Sequence, residues 1–336
     1  MHKQFPVIFA NSTLMNCVYF TICSNNYLSF ATVLYRSLKA HHPAATFILF
    51  LCDERIEQVD YAGVADRVVV LSAIEPRFNE LASRYNIVEL NTSLKPLAFE
   101  YLFGSGITHA VYLDPDIRVF SSLETIETSF ETASILLTPH IYTPIPFDGY
   151  TPQESSFLNF GIYNLGFIGL KATNETAAFL KWWKNWTYEK GYVDVYNGIF
   201  VDQLPVNHVP VFFDQVMILR DMGLNMAPWN LHERKLTIMN GNYMINQTDT
   251  LKFYHFSSFN TNNAELPVEK YNRFRMSDRP DLHQLYQQYR TELMDAGYAE
   301  TSKLPNAWQG LREAFLKEKK KQKWKRRLLF WQKKRK

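Results

Sequence analysis

The chain is poor in cysteine, in glycine and in long apolar runs. Three cysteines occur among 336 residues, Cys17, Cys23 and Cys52, and none lies in a C-x-x-C spacing. An odd count without paired spacing excludes a disulfide framework and a cysteine-based zinc site. The three read as small buried hydrophobes in a reducing compartment. With 13 Gly and 15 Pro there is no collagen-like or low-complexity composition. No apolar run approaches the roughly 20 residues that a membrane-crossing helix needs. The N-terminal stretch Phe5–Ala10 is interrupted by Pro6 and lacks a signal-peptide core, so a protein that is not secreted is expected. The N-x-[ST] sequons at Asn11, Asn91, Asn174, Asn185 and Asn246 then carry no weight.

Aromatic residues are abundant: 25 Phe, 19 Tyr and 7 Trp in a chain that is 46% hydrophobic. That supply suits a large buried core and excludes a disordered chain. The net charge of +3 conceals an asymmetry. Residues 316–336 hold 12 Lys and Arg against one acid, Glu318, whereas the remainder holds 24 basic and 32 acidic residues. Within the basic end Trp324, Leu328 and Trp331 recur at helical spacing. A basic helix with Trp and Leu on one face suits an anionic membrane surface, where each Lys or Arg contributes about 1 kcal/mol. The expected organisation is therefore a body over 1–300 and a basic amphipathic tail over 301–336, in a cytoplasmic protein held peripherally at the inner face of the membrane. The interleaved aromatics weigh against a nucleic-acid partner.

Short apolar, β-branched segments alternate with helical periods. Residues 17–24, 46–54, 67–71, 109–120 and 133–140 read as strands, and 27–41, 94–103, 174–190, 213–222 and 281–299 as helices. The segment FLNFGIYNLGFIGLK reads as a bent strand or hairpin with Gly at the bends. This alternation predicts an α/β fold with a mixed, mostly parallel sheet flanked by helices. Such open sheets bind ligands beyond the carboxyl ends of their strands.

Three places carry chemistry. Asp114-Pro115-Asp116 directly follows the apolar strand residues Val111, Tyr112 and Leu113. Carboxylates at the end of a buried strand are costly to desolvate unless a cation meets them. Residues two apart in extended chain point the same way, so both can face one ion, and carboxylate oxygens suit Mn²⁺ or Mg²⁺ on a diphosphate. The competing reading is an exposed turn, since Asp and Pro are common in turns. His255, in the aromatic segment KFYHFSSF, is either a packed histidine or a third ligand. Asp202-Gln203, between Phe200-Val201 and Leu204-Pro205, is either a helix cap or part of a site.

From CSNNYLSF through YLDPDIRVF, FLNFGIYNLGFIGLK and VDQ to HFSSF, residues 17–260 resemble a glycosyltransferase of the GT-A fold, in the manner of glycosyltransferase family 8 and related bacterial polysaccharide enzymes. The resemblance implies a nucleotide-sugar donor with a UDP-sugar favoured, a saccharide or lipid-linked acceptor, a divalent metal, and transfer with retention at the anomeric carbon. It implies that Asp114, Asp116 and His255 hold the metal and that Cys23, Asn25 and Asn26 lie near the nucleoside. Lys95 would sit over the donor, Asn159 on the donor sugar, Asp202 and Gln203 beside the reacting carbon, and His140 on the acceptor side. The match is incomplete. Where the family closes with H-x-x-G-x-x-K, this chain has Ser258 and Thr261, so a phosphate contact is either missing or supplied by Lys252, Lys270 or Arg273. A double displacement would need Asp202 as nucleophile, and an inverting reaction a carboxylate base such as Asp148 or Glu154. A sugar nucleotidyltransferase and a decayed nucleotide- or sugar-binding module stand as the alternatives.

Overall fold

A computed structural model describes residues 17–262 and 267–333. The N-terminal reading and the sequon at Asn11 lie outside them. In chain order the strands and helices begin β1 (Cys17–Cys23), α1 (Leu28–His41), β2 (Thr46–Leu51), β3 (Arg67–Val70), α2 (Phe78–Arg84), α3 (Ile87–Ser93) and α4 (Lys95–Gly104). There follow β4 (His109–Leu113), β5 (Ile117–Val119), α5 (Glu124–Ser129), β6 (Ile135–Pro139), α6 (Glu154–Phe160), β7 (Tyr163–Lys171) and α7 (Asn174–Lys190). The last third holds β8 (Val193–Asp194), β9 (Ile199–Phe200), α8 (Val209–Phe212), β10 (Val216–Ile218), β11 (Leu236–Met239), β12 (Asn242–Ile245), β13 (Asp249–Thr250) and β14 (Phe253–His255). Three helices close the chain: α9 (His283–Asp295), α10 (Tyr298–Thr301) and α11 (Gln309–Lys333).

Seven strands form the central sheet in the order β10-β6-β7-β4-β1-β2-β3. All neighbours are parallel except β7, which runs antiparallel between β4 and β6. The mixed, mostly parallel α/β sheet expected from the alternation is thus present. β1 is buried at every residue, as a strand covered on both faces must be. Val18, Phe20 and Ile22 enter one core with α2, α4 and α7, while Cys17, Tyr19 and Cys23 enter another with α1 and α5. All three cysteines are free and buried.

Two expectations are corrected. The FLNF part of the expected hairpin is the end of helix α6; Gly161, at φ 119°, turns the chain into β7. Glycine is suited to that turn, because a side chain is strained at such a φ. The expected helix over 213–222 contains instead the edge strand β10, whose Val216, Met217 and Ile218 pair with β6. Their β-branched residues favour that short pairing over a helical turn.

The segment before the last helix is tied to the body. Asp53 accepts from the backbone N–H of Ala307 at 2.9 Å, and Trp308 packs edge-on against Phe78 at 4.9 Å. The backbone of α11 continues to Lys333, but the side chains of Leu328 and Trp331, on which the amphipathic reading rests, lie outside the described ones. Among the described residues no helix is long and apolar enough to cross a membrane.

Candidate metal and donor site

The Asp-Pro-Asp sequence does not prolong β4. It breaks the expected strand 109–120 into β4 and β5, and the second piece leaves the main sheet to pair antiparallel with β14. Proline has no N–H to give a ladder, so the break falls there. The register sets His255 opposite Ile117. A residue 141 positions from Asp114 and 139 from Asp116 is thereby carried to the two aspartates. His255 Nε2 lies 3.1 Å from Asp116 Oδ1 and 3.6 Å from Asp114 Oδ2. One ligand atom from each of the three side chains falls within 4.8 Å of the others.

His255 is oriented from behind. Its Nδ1 meets Asn164 Oδ1 at 3.2 Å, which leaves Nε2 toward the carboxylates. Burial alone would lower the imidazole pKa, but Asp116 and then Asp114 outweigh it and leave the ring above its ordinary value. Asn164 is a hub. Its Oδ1 also accepts from Asn225 Nδ2 and the Gly166 N–H, and its Nδ2 reaches His140 Nε2 at 3.3 Å. Gly166 leaves room for this arrangement, because a Cβ there would stand 2.4 Å from His255 Cε1. Its carbonyl accepts the Asp114 N–H at 2.8 Å.

A second charged group borders the first. Lys95 Nζ lies 2.9 Å from Asp202 Oδ2 and 3.7 Å from Asp114 Oδ1, donates to the Leu165 carbonyl at 2.7 Å, and rests over the Tyr112 ring. Lys95 and Asp202 are both buried. Burial raises the Asp202 carboxyl pKa, with Lys95 opposing. The Asp202 backbone is held by Trp183 Nε1 at 2.9 Å, and the residue before it, Val201, sits at φ 39°. A β-branched residue in that region is a strained outlier, of the kind that clusters at functional sites.

Gln203 is beside this pair but occupied. Its Oε1 accepts the Leu165 N–H at 2.9 Å and its Nε2 donates to the Phe160 carbonyl at 2.8 Å, so it clasps the turn between α6 and β7. His140, expected on the acceptor side, is instead buried between Phe157 and Trp229, with Nδ1 on the Ile162 carbonyl and Nε2 on Asn164. Desolvation pushes its pKa down to about 3. Asn159, expected on the donor sugar, stands exposed on α6 and shares no hydrogen bond with the cluster among the described residues. The asparagine in the cluster is Asn164, five residues on in the same motif. Only its place on a strand face beside Gly166 distinguishes it, and the sequence, which reads equally as a bent strand or a hairpin, does not fix that face.

At the end of β1, Cys23 is buried and its thiol pKa is raised by desolvation and then by Asp53. Asn25 is buried too, its amide donating to the Glu54 carbonyl and accepting from Tyr61. Asn26 accepts from Ser24 Oγ and is half-buried. Tyr27, which follows, was not singled out in the sequence. It is 42% exposed; desolvation around the hydroxyl, then Asp116, pushes the phenol up to about 12. The S-N-N-Y run at a strand's carboxyl end was the available signal.

Of the three cations considered for the phosphates, Lys252 pairs with Asp221 at 2.6 Å and Arg273 with Asp148 at 2.6 and 3.0 Å. Lys270 has no carboxylate at ion-pair distance among the described residues; desolvation lowers its pKa and Asp116 opposes that. Ser258 lies at φ 57°, in the left-handed region that favours glycine. As for an alternative base, Asp148 is committed to Arg273 and Glu154 accepts the Ile145 N–H.

No known family profile matches the chain. Among curated proteins it is similar to YfnF of Bacillus subtilis, an uncharacterized protein, at 23% identity over 82% of this chain and 91% of that one. It is also similar to the uncharacterized YfnD of the same organism, at 28% identity over 64% of this chain and 68% of that one. Among solved structures it resembles the galactosyltransferase LgtC in complex with donor and acceptor sugar analogs, at TM-score 0.44 and 14% identity over 87% of this chain and 99% of that one. It also resembles the glycosyltransferase GlyE of Streptococcus pneumoniae, at TM-score 0.47 and 14% identity over 86% and 66% of the two chains. At those scores nothing about a reaction transfers to this chain, and its own side chains must carry the functional reading.

Proposed function

We propose that this chain is a metal-dependent glycosyltransferase that moves a hexose from a nucleoside-diphosphate sugar to a saccharide or lipid-linked acceptor, with retention of configuration. The observation that carries the reading is the meeting of Asp114, Asp116 and His255 within 4.8 Å beside a buried Lys95–Asp202 pair. The donor set fits a divalent ion: two carboxylates and an imidazole whose Nδ1 is already engaged by Asn164. Mn²⁺ suits that mixture better than Ca²⁺, and Mg²⁺ is the alternative. Bound there, such an ion supplies positive charge beside a departing diphosphate.

The chain's own groups account for the rest. Lys270 supplies the cation that the closing motif lacks. Lys95 keeps the buried Asp202 carboxylate in place against Asp114, so the carboxylate adds fixed negative charge where a cationic sugar carbon would form. Gln203 ties the end of α6, at the Phe160 carbonyl, to Leu165 of β7 and so fixes the wall behind that carbon. In the proposed reaction a donor oxygen takes the acceptor proton and the configuration is retained; Asp148, paired with Arg273, and Glu154, accepting the Ile145 N–H, are given no part in it. Asn26 and Tyr27, accessible just beyond the carboxyl end of β1, offer the nucleoside a floor, with Cys23 and Asn25 buried beneath them.

The test is thermal denaturation of the full chain with UDP or GDP, with and without Mn²⁺, followed by NMR of products from a panel of nucleotide sugars. A ligand at 100 times its Kd stabilises by about 2.7 kcal/mol. Stabilisation by a nucleoside diphosphate only when Mn²⁺ is present supports the reading. Equal melting with and without both, or preference for a nucleoside triphosphate with a sugar phosphate, would sink it.

A further inference from the structure

An aromatic and aliphatic rim stands in solvent on the segments that flank Asp202 and Gln203 in the chain and on the α6–β7 turn that Gln203 holds. On one side of Gly161 are Leu158 and Phe160, on the other Ile162, all exposed. Phe160 packs against Phe200 at 4.9 Å, and Phe200 pairs with exposed Val193 across the β8–β9 hairpin. At the tip of that hairpin Tyr196 is 97% exposed. The Ile162 N–H bonds Asn207, whose neighbour His208 stacks on exposed Phe212, and Val211 beside it is 80% exposed. Across residues 157–163, 192–200 and 204–213 there is one acid, Asp194, and no Lys or Arg. Contiguous exposed apolar surface of this kind marks an interaction site.

The rim is joined to the cationic end of the chain. The Val193 N–H bonds Glu89 of α3 at 3.1 Å. Asn86, Ile87 and Leu90, around the same helix, form one wall of a groove whose other wall is Arg312, Glu313 and Leu316 of α11. Val88 of α3 is exposed, as are Lys317, Lys319, Lys320, Lys321 and Trp324 of α11. An uncharged aromatic rim and a lysine-rich helix thus share the neighbourhood of α3.

We infer that the rim formed by the α6–β7 turn, the β8–β9 hairpin and α8 docks on an anionic lipid bilayer, together with α11. Tyr and Phe suit the bilayer interface, apolar Val, Leu and Ile enter its boundary, and the lysines meet anionic headgroups. The exposed lysines of α11 favour an anionic surface over a second copy of the chain, which would present the same lysines. Docking in this way would turn the Gln203 side of the site toward the membrane. The lipid contact itself is independent of turnover; only the placing of an acceptor there rests on the transferase reading.

The test is co-sedimentation of the full chain with sucrose-loaded vesicles of phosphatidylcholine containing about one third phosphatidylglycerol. Tyr196→Ser with Val211→Ser removes two exposed apolar contacts and leaves the core and the Asp114–Asp116–His255 cluster untouched. The expected result is a partition coefficient reduced about tenfold for the double variant, with melting temperature and Mn²⁺-linked nucleotide binding unchanged. Equal partition of parent and variant, no vesicle binding by the parent, or a lipid-free dimer that the double variant abolishes would each overturn the inference. Rim-dependent lipid binding by a chain that fails to bind nucleotide with Mn²⁺ would remove the transferase reading and leave the lipid-facing rim standing.

Discussion

Replacing Gly166 by alanine separates geometry from chemistry at the proposed metal site. An alanine Cβ would stand 2.4 Å from His255 Cε1, 2.6 Å from His255 Nδ1 and 2.8 Å from Asn164 Oδ1. Carbon atoms prefer roughly 3.5–4.0 Å, so the imidazole must retreat by about 1 Å or more. Gly166 does not sit in the left-handed region, so alanine meets no backbone penalty and the effect comes from contact alone. A ligand nitrogen tolerates displacements of only about 0.2 Å at a metal, and a lost orienting hydrogen bond costs 10–100-fold in affinity. The expected outcome is Mn²⁺ affinity weakened about 10- to 100-fold, or about 1.4–2.7 kcal/mol, in a variant that remains folded. The assay is electron paramagnetic resonance of free Mn²⁺ titrated with protein. Gly169→Ala is the control: its Cβ meets Phe130 and Leu136 at 3.0–3.3 Å and nothing of His255, so it should lose stability without losing metal. A Gly166→Ala protein that binds Mn²⁺ within about twofold of the parent would refute the assignment of His255 as an oriented ligand.

Three further outcomes are expected. Asp116→Asn and His255→Ala should each abolish the Mn²⁺-dependent stabilisation by nucleoside diphosphate while keeping the parent circular dichroism; an Asp116→Asn variant that still responds to metal would contradict the site. Lys95→Met should cost about 3–5 kcal/mol in urea denaturation by leaving Asp202 buried without its cation, and adding Asp202→Asn should recover much of that loss. For His140 the folded pKa, about 3, lies below the unfolded value. Its neutral form therefore stabilises the fold fully above pH ~6.5, and that contribution declines as pH falls toward 3, by up to about 1.4 kcal/mol per pH unit. His140→Gln should flatten the pH dependence of stability across that window, and an unchanged slope would show that His140 is not its source.

Much of the architecture was legible because buried parallel strands are written as short unbroken apolar runs. CVYFTIC, TFILFL and HAVYL are such runs, and each is a central strand. The errors fall where local pattern and tertiary pairing compete. FLNFG has strand-like residues, yet its first four complete a helix. Val216–Ile218 sits in a stretch with helical spacing, yet finds β6 as an edge partner. Such short segments have too little intrinsic preference to decide their own state.

The sequence by itself determined the α/β class, the two carboxylates at the end of an apolar strand, and the charge carried by the C-terminal end, because each depends on local order or on composition. Tertiary structure alone brought His255 to those carboxylates through the β5–β14 pairing, joined Lys95 to Asp202 across 107 residues, and made Asn164 rather than Asn159 the asparagine in the cluster. The physical reason is that hydrogen-bond register and close packing act between segments remote in the chain, and neither leaves a local periodicity to read.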